Sequence, residues 1–355
     1  MQFGLSEEQI LLQDNVKRFL NDNVALERVR KYAEGNSDAD IWTGLSELGI
    51  AALLIPEEFG GIGMSTLDAA VVAECLGSNV APTPFLGSAV MAPTALIASG
   101  GDHGEMLAQL AAGTHRIGIA FGEAIKRRNS AGLEVSNGRM NGTSLFAFDA
   151  DADSYLVADQ NMHLYLVSAN AQGLTRSELT TVDKTRRTVE LTYKDVEATS
   201  ISTDVSVFEA TLDIGRIILA ADTLGAAQNM LDQAVDYAKQ REQFNRPIAS
   251  FQAVKHMCAE MAASLEPCRS MVWFAAHALD DLPNEARATA CHTKAHLSEV
   301  GKAIAKTSTE VHGGMGFTDL VGLHYWFKRI GANRQWLGAP EHVREEAAVL
   351  QGLVA

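Results

Sequence analysis

The stretch AVDYAKQREQFNRPIASFQAVKHMCAEM, residues 234–261, predicts two helices joined by a fixed corner. Apolar residues recur at helical spacing on both sides, which predicts one helix that ends near Phe244 and another that begins after Ser250. Asn245 tolerates a left-handed helix terminus, and Pro247 cannot continue a helix. Ser250 is predicted to cap the second helix.

The corner carries side chains suited to a phosphorylated ligand that contains a ring. Arg241 lies three positions before Phe244, so the two share neighbouring faces of a helix, and Gln252 follows the break. A guanidinium fork suits phosphate, a Gln amide both donates and accepts hydrogen bonds, and a Phe ring offers a flat surface. An ordinary capped helical hairpin with a surface Arg explains the Asn, Pro and Ser equally well, so the spacing alone leaves both interpretations open.

Composition limits the class of protein. A chain of 355 residues is long enough for two or three domains and a substantial core. Acidic residues outnumber basic ones 44 to 29, and the net charge of −15 disfavours nonspecific binding to nucleic acid or anionic membranes. Because no long apolar run and no signal pattern is found, we expect a cytoplasmic protein that does not enter a membrane. The four cysteines form no CxxC pair and predict free, buried thiols.

Hydrophobic periodicity changes twice along the chain. It is helical over residues 1–115, alternates with period two over residues 116–203, and is helical again over residues 204–355. The sequence therefore predicts an α+β protein with the order helices, small β domain and helical bundle. Asn137-Gly138 and Asn141-Gly142 are predicted to form turns within the β domain.

Two motifs resemble those of the acyl-CoA dehydrogenase family. The segment YAKQREQFNRPIASFQAVKHMCAEM, residues 237–261, is similar to the family's helix corner, and EVHGGMGF, residues 310–317, is similar to its glycine-rich turn. PEEFGGIG, residues 56–63, agrees with the family as well, and the resemblance extends over nearly the whole chain. It implies an N-terminal helical domain, a middle β-barrel-like domain and a C-terminal four-helix bundle. It also implies an oxidoreductase that uses FAD to desaturate an acyl-CoA thioester between its α and β carbons.

The resemblance assigns the corner residues to a cofactor. It implies that Arg241, Phe244 and Gln252, with Gly313 and Gly314, contact the diphosphate and adenosine part of FAD across a dimer interface. HGGMG could instead suggest the oxyanion turn of a hydrolase, but the sequence contains no GxSxG nucleophile motif. An oligomer is expected because the corner acts on a neighbour's cofactor.

The family's catalytic carboxylate is missing from both positions where the resemblance places it. The loop before the last helix has Leu337 between Trp336 and Gly338, and leucine cannot accept a proton. The other position, just before Arg216, is occupied by Gly215. The catalytic residue is therefore unassigned. Arg216 matches an arginine that the family places near the substrate, with a surface or ion-paired arginine as the alternative.

The middle domain also departs from the family's usual contacts with the flavin ring, at IAFGEAIKRRNS (residues 119–130) and SLFAFDADAD (residues 144–153). We therefore predict one subunit of a heteromeric dehydrogenase, similar to the α2β2 enzymes that act on steroid side-chain CoA thioesters in lipid or steroid degradation. Its partner supplies the carboxylate, and an electron-accepting flavoprotein takes the electrons. A self-sufficient homomer using Asp213, Glu310 or Glu341 is one alternative, and a non-catalytic binding subunit is another. Steroid, fatty and dicarboxylic acyl groups all stay open.

The segment CHTKAH, residues 291–296, places His292 and His296 four positions apart, as in some metal sites. No third ligand lies nearby in sequence, so we expect two histidines on an exposed helical face and no metal.

Overall fold

The computed structural model describes residues 4–125 and 132–354. Within them the chain forms two compact units. The first takes residues 4–35, 70–81 and 217–354, and the second takes residues 36–69 and 82–216 apart from the gap.

Long helices dominate the C-terminal third, and shorter ones occupy the first third. The helices of the described chain are α1 (Glu7–Asn23), α2 (Leu26–Ala33), α3 (Ala39–Glu47), α4 (Thr66–Ser78), α5 (Ala92–Ala98), α6 (Gly104–Ala111), α7 (Val205–Gln240), α8 (Gln252–Asp281), α9 (Pro283–His312), α10 (Leu323–Gln335) and α11 (Pro340–Leu350). Two of the four unit boundaries fall within helices, one in α4 and one in α7.

The strands lie between α6 and α7, except for one short hairpin after α7. They are β1 (Ile117–Ala120), β2 (Leu133–Ser136), β3 (Arg139–Phe148), β4 (Ser154–Ala158), β5 (Leu164–Ser168), β6 (Leu174–Leu179), β7 (Thr188–Glu197), β8 (Thr199–Ser202), β9 (Glu242–Gln243) and β10 (Arg246–Pro247). The predicted order of helices, β domain and helices is confirmed. The predicted domain boundaries after residues 115 and 203 stay predictions.

The β domain consists of two four-stranded sheets that share one core. Their strand orders are β1-β4-β5-β8 and β2-β3-β7-β6, and only the β1–β4 pair is parallel among the described strands. Inward residues of both sheets, such as Tyr155 on β4 and Tyr193 on β7, belong to the same buried cluster. The expected barrel-like form is loosely met, because the described strands form two sheets rather than one closed barrel.

The two predicted Asn-Gly turns have different outcomes. Asn137-Gly138 connects β2 to β3 with both residues at positive φ, as a tight hairpin requires. Asn141-Gly142 lies inside β3, so that prediction is wrong. The register of β3 shifts at Gly142, where a Cβ would lie 2.2 Å from the carbonyl oxygen of Gly132. The glycine therefore serves a strand irregularity rather than a turn.

A buried polar cluster joins α7 to α10 in the first unit. Arg329 donates two hydrogen bonds to the carboxylate of Asp222, at 3.0 and 2.9 Å, and Asn333 donates to Asp222 at 2.6 Å and to Thr223 at 3.1 Å. All four residues are buried. Removing one partner of such a pair would leave a charge in the core, so this cluster fixes how the two helices pack.

Helices α4 and α7 approach closely in the first unit because glycine lies on both. A Cβ at Gly77 would lie 1.9 Å from the carbonyl oxygen of Asp222, and one at Gly225 would lie 1.8 Å from that of Glu74. No side chain larger than hydrogen fits at these positions without moving a helix.

Two expectations from composition concern cysteine and the membrane. The four cysteines are free, with Cys75, Cys268 and Cys291 buried and Cys258 partly buried. Within residues 4–125 and 132–354, no helix has both the length and the apolar character needed to cross a bilayer.

Candidate functional site

The predicted helix corner is a small β-hairpin. Helix α7 ends at Gln240, and the backbone N–H of Arg241 donates to the carbonyl oxygen of Tyr237 at 2.8 Å. β9 and β10 then pair antiparallel across a turn formed by Phe244 and Asn245. The helix thus ends four residues before Phe244, and the prediction of an end near Phe244 is wrong because the hairpin takes up these residues.

The turn places an aromatic ring in solvent at a cost in backbone energy. Phe244 and Asn245 have φ of 55° and 61°, the left-handed values of a two-residue hairpin turn. Asn tolerates this region, whereas a residue with a bulky side chain loses about 1–2 kcal/mol there. Phe244 is nonetheless 86% exposed. A strained and exposed aromatic residue indicates a binding role, because neither burial nor backbone preference accounts for it.

The start of α8 lacks the predicted serine cap and lies beside two aromatic contacts. Ser250 ends a 3₁₀ turn, and the residue that precedes α8 is Phe251, with no side-chain cap, so the Ser250 prediction is wrong. The rings of Phe244 and Phe251 meet edge to face at 6.1 Å, and the Arg246 guanidinium lies 4.0 Å above the Phe251 ring. These contacts order the hairpin against α8. Sequence reasoning missed Arg246, although its position inside the break was an available signal.

The polar side chains predicted for the corner face solvent. Arg241 follows the last residue of α7, Gln252 is the first residue of α8, and both are exposed. With Arg246 the hairpin carries two exposed guanidinium groups against one exposed carboxylate, that of Glu242. In a chain of net charge −15, this is a local region suited to an anion.

The glycine-rich turn after α9 has an exposed backbone. Gly313 has φ 58° and ψ −138°, a conformation that essentially only glycine adopts. Gly313 and Gly314 are both exposed, and a Cβ built on either would have no atom of the described chain within 4 Å beyond its own residue and the two adjacent ones. A ligand can therefore approach this backbone closely, as it does in phosphate-binding turns.

One stacked pair connects the corner to the glycine turn. The rings of Tyr237 and His312 lie 4.7 Å apart with an interplanar angle of 28°. Tyr237 is one helical turn before Arg241, and His312 directly precedes Gly313. The structure thus brings together the two motifs that carried the family resemblance. Sequence reasoning did not find this stack, because 75 residues separate its members.

The tautomer of His312 follows from its hydrogen bond. Its Nδ1 lies 2.8 Å from the carbonyl oxygen of Ser308, which only accepts, so Nδ1 carries the proton. Burial lowers the pKa of His312, with the Ser308 carbonyl opposing that effect. The ring is therefore neutral at pH 7 and stacks on Tyr237 without charge.

Neither position at which the family places its base holds an acid. Leu337 is 3% exposed and has φ 55°, and Gly338 after it has φ 107°. Gly215 is buried within α7. Arg216, the predicted substrate-binding residue, is fully buried, and its guanidinium lies 3.5 Å from the carboxylate of Asp213. Of the alternatives for Arg216, the ion pair is correct and the surface position is wrong, while its substrate role stays a prediction.

The three alternative acids have environments that do not favour a general base. Asp213 is buried, and its carboxylate is ion-paired with the buried guanidinium of Arg216. Glu310 is exposed in the last turn of α9. The pKa of Glu341 is lowered by its own backbone N–H at the start of α11 and by Arg334, whose guanidinium lies 2.7 Å away. A lowered pKa makes a carboxylate a weaker base.

The altered flavin-side segments lie in the β domain. Residues 126–130 of the first segment lie outside the described residues. In the second, Phe146 lies on β3 with φ 55° and is partly exposed. The backbone N–H of Leu145 lies 3.4 Å from a carboxylate oxygen of the buried Glu123. An acidic side chain thus lies beside the bulge of β3.

The two histidines of α9 follow the prediction of an exposed pair. His292 and His296 are both exposed, and the Nε2 atom of His292 contacts the side chain of Gln351.

Comparison with known proteins identifies the family. Residues 6–114 match the acyl-CoA dehydrogenase N-terminal domain, and residues 205–348 match the acyl-CoA dehydrogenase C-terminal domain. The acyl-CoA dehydrogenase IpdE2 of Mycolicibacterium smegmatis is 31% identical over 339 residues, which cover 95% of this chain and 96% of the relative.

Solved structures show the same fold. A variant of the Tcur3481-Tcur3483 steroid ACAD is similar with a TM-score of 0.89 and 26% identity, over 98% of each chain. The ChsE4-ChsE5 complex of Mycobacterium tuberculosis contains a chain that is similar with a TM-score of 0.90 and 23% identity, over 100% of each chain. The resemblance found in the sequence is thereby confirmed, and the chain belongs to the acyl-CoA dehydrogenase family of oxidoreductases.

Proposed function

We propose that this chain is one subunit of a heteromeric acyl-CoA dehydrogenase, which performs FAD-dependent α,β-desaturation of an acyl-CoA thioester with a carboxylate supplied by the partner subunit. One observation carries the proposal. The exposed hairpin and glycine turn form a half-site for an anionic cofactor, whereas both base positions of the same chain hold residues that cannot accept a proton.

The first half of the proposal concerns FAD, whose diphosphate fits the residues present. Arg241 offers charged donors, Gln252 offers an amide, and Gly313 and Gly314 offer backbone with open space beside it. The exposed ring of Phe244 suits the adenosine part. When bound, FAD supplies the hydride acceptor for the desaturation. The residues named here bind and orient the cofactor and perform no proton transfer.

The second half of the proposal concerns the missing base. Removal of the proton α to the thioester needs an acceptor within hydrogen-bond reach. The side chains at Leu337 and Gly215 offer no proton acceptor, and the lowered pKa of Glu341 makes its carboxylate a weaker base. We therefore assign this role to a residue of a different chain, which makes the enzyme a heteromer, and the experiment below decides between that residue and the remaining acids of this chain, Asp213 and Glu310.

Similar proteins support a partner and a first substrate class. The similar Tcur3481-Tcur3483 protein is a steroid ACAD, and the similar ChsE4-ChsE5 structure is a complex. We extend these features to this chain, with a steroid-type CoA thioester as the first substrate to test. Electrons then leave to an electron-accepting flavoprotein, and no nucleic acid takes part.

The experiment that tests the proposal is flavin absorbance per polypeptide, measured with native mass. The chain alone is expected to hold little flavin. A mixture with a related partner subunit is expected to hold one FAD per pair and to oxidise acyl-CoA. One FAD per chain in an active homo-oligomer would contradict the proposal and direct attention to Asp213, Glu310 and Glu341.

A pair of variants tests the half-site within that complex. Arg241→Ala is expected to weaken flavin binding about 10- to 100-fold, because a charge-assisted hydrogen bond is worth about 1.5–3 kcal/mol. Lys255→Ala removes an exposed cation from α8, close in sequence to the hairpin, and is expected to leave flavin affinity unchanged. Equal affinities for both variants would remove Arg241 from the site.

A further inference from the structure

We propose that Lys294 is a positioning residue that holds the turn Trp336-Leu337-Gly338, the segment with one of the family's two base positions. The inference that this matters for turnover rests on the proposed function. The inference that Lys294 fixes the turn rests on contacts within the first unit alone.

The ammonium group of Lys294 bonds to both sides of this turn. Its Nζ donates to the carbonyl oxygens of Arg334 and Gly338, each at 3.3 Å, and to the hydroxyl of Ser298 at 3.2 Å. An ammonium has three N–H groups to donate, so it can serve acceptors on both sides of a turn at once. Arg334 precedes the turn and Gly338 ends it, so one cation connects the two ends of the segment.

The turn needs such support because its backbone is unfavourable. Leu337 has φ 55°, where a residue with a Cβ loses about 1–2 kcal/mol, and Gly338 has φ 107°. Conformations of this kind persist only where the surroundings fix them. Arg334 lies in the last turn of α10, where outward carbonyl groups also favour a nearby cation.

Burial of the ammonium indicates a specific task for it. Lys294 is 1% exposed in the middle of α9. Removing a cation from water is costly, and an apolar side chain of similar length could fill the same space without that cost. What the apolar side chain could not do is satisfy the carbonyl groups of Arg334 and Gly338, so we assign the ammonium to the turn.

These contacts do not depend on the side chain at position 337, because the turn's acceptors are backbone carbonyl oxygens. The frame of the turn is therefore independent of the side chain that stands there. In this chain the backbone of the turn holds a leucine rather than an acid. The turn therefore shapes the site and does not move a proton.

The test compares Lys294→Met with Lys306→Met by amide hydrogen exchange in the assembled complex. Lys306 is exposed on the same helix, so its variant removes a cation from α9 without touching the turn. We expect Lys294→Met to speed exchange at residues 335–339 about 10- to 100-fold, as the loss of bonds to a charged group predicts. Exchange within α8 is expected to match wild type, and Lys306→Met is expected to change neither region.

A kinetic measurement separates positioning from general stability. With flavin content unchanged, Lys294→Met is expected to lower kcat of the complex with acyl-CoA by about tenfold or more, since a small misplacement of a site segment has large effects on rate. Lys306→Met is expected to keep the wild-type kcat. If the wild-type complex oxidises no acyl-CoA, the proposed function fails while the exchange result still decides the role of Lys294.

Two outcomes overturn the proposal. One is unchanged exchange at residues 335–339, and the other is an equal increase throughout α8, α9 and α11, which would make Lys294 a general stabilising residue. If Lys294→Met does not fold, Ser298→Ala removes one of the three acceptors and leaves the charge. It is then expected to raise exchange in the same segment by a smaller factor, and the absence of any rise would count against the assignment.

Discussion

Phe244 and Leu337 share an uncommon property, since each is a bulky residue with left-handed backbone at a position the family resemblance selects. Phe244 is almost fully exposed, whereas Leu337 is almost fully buried. The first turn leaves an aromatic ring in solvent, and the second holds a leucine among its neighbours. Strain thus has opposite uses in the two turns, and neither could be predicted from side-chain type alone.

His312 is the residue for which we predict a pH dependence. Burial lowers its pKa in the folded state below the ordinary value of about 6.5, so the unfolded chain binds a proton more readily. The stability that neutral His312 contributes is complete above about pH 6.5 and is lost as the pH falls towards the folded-state pKa. The thermal unfolding midpoint is therefore expected to fall less between pH 7.5 and pH 5 in His312→Phe than in the wild type. The substitution keeps a ring against Tyr237.

A second histidine provides the control for this pH measurement. His296 is exposed on the same helix, and His296→Phe is expected to retain the wild-type dependence on pH. If His312→Phe and the wild type have identical pH profiles, the pKa of His312 does not differ between the folded and unfolded states, and the prediction is wrong.

Between α4 and α7, the close contact at glycine predicts a large effect of one methyl group. Gly225→Ala would place a Cβ 1.8 Å from the Glu74 carbonyl oxygen, so a helix must shift, at a cost of about 1–3 kcal/mol. Gly331→Ala in α10 would meet no described atom within 4 Å outside the adjacent backbone of its own helix and is expected to stabilise the chain by about 1 kcal/mol through helix propensity. Thermal unfolding of both variants checks the opposite signs, and a stabilised Gly225→Ala would refute the close approach.

The corner shows how far sequence patterns predict an element. Asn245 and Pro247 correctly predicted a break, because their backbone preferences are local properties. The same preferences could not predict that the break is a β-hairpin, since pairing of β9 with β10 depends on how both flanking helices are placed. Ser250 is not the cap because it ends a 3₁₀ turn, so that Phe251 in extended conformation precedes α8.

Over the whole chain, periodicity predicted the order of helices, strands and helices, because each class has its own spacing of apolar residues. It could not predict that the stack of Tyr237 on His312 joins the corner to the glycine turn, or that Lys294 reaches the turn at Leu337. Contacts between residues far apart in sequence depend on helix packing. The missing acid was visible from the sequence because a single residue type, leucine, excludes the chemistry.

Restoring the acid tests whether this chain depends on a partner. If the partner supplies both the base and most contacts to the flavin ring, Leu337→Glu is expected to give the isolated chain no acyl-CoA oxidation. The same variant is expected to leave turnover of the complex no higher than that of Leu337→Gln, which matches its volume without a charge. Because position 337 is 3% exposed, both variants are expected to lose about 1–3 kcal/mol of stability, so folding is checked by thermal unfolding.

The comparison between the two variants carries the decision. An isolated Leu337→Glu chain that binds one flavin and oxidises acyl-CoA at least tenfold faster than Leu337→Gln would show that the chain retains a complete site of its own and lacks only a base. The divided-site proposal would then be wrong, because the retained half-site would serve a second copy of this chain. Equal and negligible activities of the two isolated variants, with equal activities of their two complexes, would place the base in the partner, since a carboxylate at the family's position added no activity.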